Sequence, residues 1–125
     1  MSTLKLDTLS NKAGTASVPS DTIVSGTAKA WVNFNGTGTV AIRRAFNVSS
    51  ITDIGTGYYR VNFSTAMVDA DFSTVGSCKL NETGNSWRAP TAVNANTAYH
   101  CDWQCILTIN GTAEDMSTVS IAVFS

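Results

Sequence analysis

Charge is scarce in this chain. Only 14% of its 125 residues are Asp, Glu, Lys or Arg, against roughly a quarter in an average soluble protein, and the formal net charge is −1. A nucleic-acid surface needs a basic patch, and the only basic doublet, Arg43-Arg44, suits a solvated strand end. No apolar run approaches the roughly 20 residues of a membrane-spanning helix, so no membrane insertion is expected. The opening Met1-Ser-Thr-Leu-Lys-Leu-Asp-Thr-Leu-Ser10 has no apolar signal-peptide core, which implies synthesis in a cytoplasm. Strong helix formers are also sparse, and Ser, Thr, Asn and Gly take their place. That composition favours strands and tight turns over surface helices.

Catalytic residue types are equally thin. Histidine occurs once, at His100. A hydrolytic triad would need it beside a nucleophile, but its neighbour Cys101 points to the opposite face of any strand that carries both. His100 and Asp102 share a face, and a surface polar contact is expected of them. Cys101-x₃-Cys105 has a spacing that zinc sites use, yet the Tyr, Trp, Ile and Leu around it read as strand. Asp69-x-Asp71 lacks the Gly-spaced loop and distal Glu of a calcium site, and Glu114-Asp115 reads as a solvated acidic pair. No Gly-rich phosphate loop precedes a helix. The chain is too small and loop-poor for a glycan depolymerase. We therefore expect no enzyme, no metal and no cofactor.

What the sequence does contain is alternation. Ala30, Val32 and Phe34 alternate with Trp31 and Asn33; Tyr59, Val61 and Phe63 with Tyr58, Arg60 and Asn62; Cys101, Trp103, Cys105 and Leu107 with His100, Asp102 and Gln104; Val119, Ile121 and Val123 with Ser120, Ala122 and Phe124. This is the period of a pleated strand with one buried face. Strands are predicted near 29–34, 39–43, 45–51, 58–63, 77–80, 99–109 and 118–124. Asn35-Gly36 predicts a tight hairpin with positive φ at both turn residues, Asn110-Gly111 repeats that chemistry, and residues 53–57 supply another turn. Residues 64–72 are the one place where a short helical turn fits, and residues 81–97 read as a long loop. Together these features predict an all-β chain: a single antiparallel β-sandwich domain of about seven strands over residues 29–125. Cys101 and Cys105, about 13 Å apart on one strand, are too far apart for a disulfide and suit a core face. Cys78 is expected reduced, although pairing with either of the others is geometrically open.

Residues 1–28 differ from the rest. Leu4, Leu6 and Leu9 are isolated apolar points before a polar stretch, too few to build a core. They predict an extended N-terminal arm that anchors on, or exchanges with, another subunit or particle. The aromatics Trp31, Tyr58 and Trp87, the last with Arg88 beside it, are the residues expected to contact a partner or ligand. Trp31 would alternatively fill a second layer or a subunit interface. Five Asn-x-Ser/Thr sequons, at Asn35, Asn47, Asn62, Asn81 and Asn110, follow from composition in a chain with no secretory signal.

Three strings resemble a module of tail-fibre-like and other virion structural proteins of tailed bacteriophages. They are Ala28-Lys-Ala-Trp-Val-Asn-Phe-Asn-Gly-Thr-Gly38, Ala45-Phe-Asn-Val-Ser-Ser-Ile-Thr-Asp53 and Gly55-Thr-Gly-Tyr-Tyr-Arg-Val-Asn-Phe63. The resemblance covers about half of the chain. It implies a virion location and a tail-fibre or adhesin role in host attachment. The implied partners are the chain itself, as a homotrimer, other virion proteins and a host-surface glycan. Phage adhesins of this kind usually carry the module on a longer shaft, so two alternatives stand beside the first: a capsid decoration protein (cement or head fibre), and a free lectin-like carbohydrate-binding module.

Overall fold

The structure, a computed structural model, describes residues 1–80 and 88–125. It is an all-β fold, as the alternation predicts, with eleven strands and one short helix among the described residues. The leader folds locally. Strands β1 (Thr8–Ser10) and β2 (Ser17–Pro19) pair as a hairpin, and helix α1 (Ser20–Gly26) follows. Asn11 closes the hairpin loop by accepting hydrogen bonds from the backbone N–H groups of Thr15 and Ala16. No residue of 1–27 is buried.

The body consists of two packed antiparallel sheets. Its strands are β3 (Ala30–Asn35), β4 (Ala41–Phe46), β5 (Val48–Gly55), β6 (Tyr58–Phe63), β7 (Ser73–Lys79), β8 (Arg88–Thr97), β9 (His100–Leu107), β10 (Thr112–Ala113) and β11 (Thr118–Phe124). The first sheet has the order β4-β3-β11-β7. In the second, β5 pairs β6, β6 pairs β9, and β8 runs along the free edge of β9, with short β10 continuing the β6 edge at Ile106–Leu107. The strand last in sequence, β11, therefore lies in the middle of its sheet, between β3 and β7.

The core lies where the two alternating patterns meet. Ala30, Val32 and Phe34 of β3 and Val119, Ile121 and Val123 of β11 face Tyr59, Val61 and Phe63 of β6 and Cys101, Trp103 and Cys105 of β9. Met67, Phe72 and Met116 close the ends. Phe34 meets Tyr59 edge-on, with ring centroids 5.1 Å apart, and Phe63 meets Phe72 in the same way at 5.6 Å. Such side chains each contribute about 1.5–3 kcal/mol on burial. Gly76 of β7 leaves room for the Trp103 ring, since a Cβ there would lie 3.0 Å from it.

Several local expectations need correction. Asn35 and Gly36 do not form a two-residue turn. The loop runs to Gly38, which takes the positive φ of 62°, while Asn35 holds it by accepting from the Thr37 hydroxyl at 2.8 Å. Gly36 serves another purpose: its N–H donates to Met116 O at 2.8 Å, and a Cβ there would sit 2.6 Å from Tyr59 Cζ. The strand predicted at 45–51 is two strands broken at Asn47, whose φ is 53°. Its side chain ties the corner together, donating to Lys29 O and Thr65 O and accepting from Thr65 N–H at 2.7 Å. Residues 64–72 are bends without a helix, and the helix lies at Ser20–Gly26 instead. Asn110-Gly111 leads into β10, not directly into the last strand. The loop expected at 81–97 is strand β8 from Arg88 onward. Pro90 is tolerated because β8 is bonded to β9 along one edge only.

Candidate functional site

Pairing of β6 with β9 sets Arg60 opposite Asp102, Tyr58 opposite Gln104 and Asn62 opposite His100. These residues face away from the core. Asp102 is nevertheless 1% exposed, which corrects the expectation of a surface contact with His100. A buried carboxylate needs partners, and Asp102 has them from the two flanking strands, β6 and β8. Arg60 grips it with two bonds, Nε to Oδ1 at 2.7 Å and Nη2 to Oδ2 at 2.9 Å. Asn94, on β8 with φ 61°, donates to Oδ2 at 3.0 Å, and the Tyr58 hydroxyl donates to the same oxygen at 3.3 Å. Asn94 also bonds the Tyr58 hydroxyl. The hydrogen bonds from Arg60 outweigh desolvation and hold the Asp102 carboxyl at a pKa of about 2. The same pairing raises the Arg60 guanidinium. His100 Nδ1 stands 3.7 Å from Asp102 Oδ1 and has no hydrogen-bond partner among the described residues.

This network is a clamp across β6, β9 and β8. Tyr58, Asn94 and Arg60 point their polar atoms at Asp102, so a ligand would have to compete with bonds already made. Tyr58, predicted as a contact residue, is one of its members. Arg88, also predicted as a contact, is held at the base of β8: its Nε donates to Glu114 Oε2 at 2.8 Å, and its side chain is 11% exposed. Trp87 lies outside the described residues. Asp102, Arg60 and Asn94 were not among the predicted site residues. The one signal for them is that 58–62 and 100–104 each carry polar residues at alternate positions, and only the register shows which of these meet.

Trp31 sits on the other side of the molecule, on the outer face of β3, and is 40% exposed. Trp31 and Tyr58 therefore do not converge. Trp31 shares a shallow groove of about 430 Å³ with Asn33, Val75, Ser77, Ser120 and Ala122. Leu4, Leu6 and Leu9 are all exposed on the leader.

A third group lies inside. Tyr59 is buried and its hydroxyl meets Gly36 O at 3.0 Å and Asp115 Oδ1 at 3.1 Å. Burial first, and the Asp115 charge second, push its pKa well above the ordinary range. Asp115 also accepts from Gly57 N–H at 2.6 Å. The thiols of Cys78 and Cys105 interact across the two sheets. Their interaction, with burial, raises Cys105, while Cys78 is lowered by it against its own desolvation, with help from the Arg88 charge. Cys78, Cys101 and Cys105 are all free thiols. Among the described residues no three His, Cys, Asp or Glu side chains cluster as metal ligands, and no helix is long and apolar enough to cross a membrane.

The chain matches no protein-family model, no curated protein and no solved structure.

Proposed function

We propose that this chain is a non-enzymatic structural protein of a tailed-phage virion, of tail-fibre or adhesin type, that assembles as an oligomer, with three copies the expected number. The observation that carries the proposal is where the resembling strings fall. They occupy β3, the β4–β5 corner with β5, and β6, a consecutive run that starts in one sheet, turns at Asn47 and returns in the other. The resemblance thus covers a folding unit rather than scattered words. The leader, with Leu4, Leu6 and Leu9 exposed, is suited to holding a partner, and Trp31 marks a face suited to being covered. The partners are further copies, neighbouring virion proteins and, at the tail, a host-surface glycan. The protein would be made in the host cytoplasm and carried in the particle.

A capsid decoration protein is the second reading, because an exposed apolar leader on a compact body serves equally well to fasten many copies to a shell. A free lectin is less favoured: the Tyr58, Asn94 and Asp102 groups that would suit a sugar already bond one another. Quantitative mass spectrometry of purified particles, calibrated on the major capsid protein, separates these. A few copies per particle, in multiples of three, supports the tail appendage. Hundreds of copies would make it a decoration protein, and absence from particles would sink both.

A further inference from the structure

We propose that the N-terminal hairpin and helix of one copy dock on the outer face of the β4-β3-β11-β7 sheet of a second copy. This deepens the assembly reading above and rests on it only for the premise of self-association; it does not depend on where in a virion the protein sits.

The face is built by register. Phe46 lies opposite Trp31, Trp31 opposite Ala122, and Ala122 opposite Val75, so one apolar row crosses all four strands. Phe46 is 54% exposed and Val75 57%. The next row, Arg44, Asn33, Ser120 and Ser77, is polar with one charge at its β4 end, and Asn33 donates to the Ser120 hydroxyl at 2.7 Å. A contiguous apolar strip of this kind on a sheet surface marks a contact site.

The leader is what lacks a partner. Its two strands have three residues each and its helix seven. An isolated hairpin is marginal in water, and a helix needs roughly 12–15 residues to stand alone. Its apolar side chains Leu4, Leu6, Leu9, Ile23 and Val24 are all exposed. It is joined to its own body at β11, where Lys29 N–H, two residues before Trp31, donates to Val123 O at 2.7 Å.

Area points to a second copy as the occupant. The chain presents 7882 Å² of accessible surface, whereas a compact monomer of 13.2 kDa should present about 6,400 Å². The excess of about 1,500 Å² is close to the total that a standard stable interface removes. In the leader Lys5 and Lys12 balance Asp7 and Asp21, and the cations of the face, Arg44 and Lys79, stand on its edge strands β4 and β7, away from the apolar row. Each copy thus carries one arm and one face, both uncovered in the single chain. Passing arms from copy to copy is a heterologous contact, which closes as a ring when the rotation allows.

The test uses the full chain and two full-length variants, Leu9→Glu and Trp31→Glu, in sedimentation velocity over a wide concentration range. The native chain is expected to self-associate, and each variant to weaken that association by about tenfold or more, with circular dichroism unchanged. Leu9 lies outside the core, so Leu9→Glu remains decisive should Trp31→Glu fail to fold. A photoreactive residue at position 9, in a mixture of isotopically heavy and light copies, should crosslink heavy chains to light ones at peptides containing Trp31, Phe46 or Val75. A native chain that stays monomeric, an oligomer indifferent to Leu9→Glu, or crosslinks confined to one chain would each overturn the proposal. Self-association through another face would leave the assembly reading standing, whereas a monomer would remove both.

Discussion

Replacing Asp102 with Asn tests the clamp on the outer face of the second sheet. The substitution keeps the size of the side chain and removes the charge that Arg60 holds at 2.7 and 2.9 Å. The Asp102 carboxyl titrates at about 2 in the folded chain, against an ordinary 3.8. At 1.36 kcal/mol per pKa unit, this depression is worth about 2 kcal/mol of folding free energy. The sign follows from the depressed folded value. The unfolded chain takes up its proton first as pH falls, so the stabilisation is complete above about pH 5 and is lost as pH falls through about 4 towards 2. At neutral pH, Asp102→Asn should therefore unfold about 2 kcal/mol more easily, a fall in midpoint temperature of about 6–10 °C for a domain of this size. Urea unfolding of both proteins across the acid range supplies the test. The gap between them should narrow steadily below pH 4 and nearly close by pH 2. A gap that is small at pH 7, or that stays constant into acid, would show that the Arg60 pair contributes no charge-dependent stability and would refute the reasoning.

Two further outcomes follow from the interior. Gly57 has a φ of 65°, and a Cβ there would lie 2.7 Å from backbone atoms of Cys105 and Glu114. Gly57→Ala should cost about 2–4 kcal/mol from backbone strain and overpacking together, read as a lower urea midpoint with an unchanged slope; a neutral result would mean that the β5–β6 turn can rearrange freely. Among the thiols, burial pushes Cys101 up to about 11 and Cys105 is also fully buried. An aromatic disulfide reagent at neutral pH should modify Cys78 first and leave the other two silent until the chain unfolds, and Cys78→Ser should remove the native-state reaction. Equal reactivity of all three thiols would contradict the packing of β7 on β9.

The central strands were legible because one face of each is buried. β3, β6, β9 and β11 each read as apolar at alternate positions, and their ends lie within one or two residues of the predicted ones. β8 was not legible, since an edge strand of Ala, Pro, Thr and Asn has no buried face to mark it. Turn chemistry misled at Asn35-Gly36, where the absence of a side chain at Gly36 serves the Tyr59 ring rather than a positive φ. The corner at Asn47 was hidden inside a run read as one strand over 45–51. The clamp was half visible: Tyr58 and the His100–Asp102 face could be read, but Arg60 and Asp102 are 42 residues apart and meet only once β6 pairs β9. The same holds for Trp31, whose exposure could be suspected while its apolar neighbours Phe46 and Val75 come from register alone.

The central place of β11 has a consequence for how the protein comes into being. Asn33 and Ser120, bonded across β3 and β11, are 87 residues apart, so a ribosome adding about 5–20 residues per second finishes β11 some 4–17 seconds after β3 emerges. Throughout that interval β3 offers an unpaired edge and the apolar side chains Ala30, Val32 and Phe34 to whatever lies nearby. In a cell making many copies at once, the nearest complementary edge belongs to another nascent chain. Productive yield should then depend on translation speed and on chaperone supply as strongly as on the stability of the finished sheet.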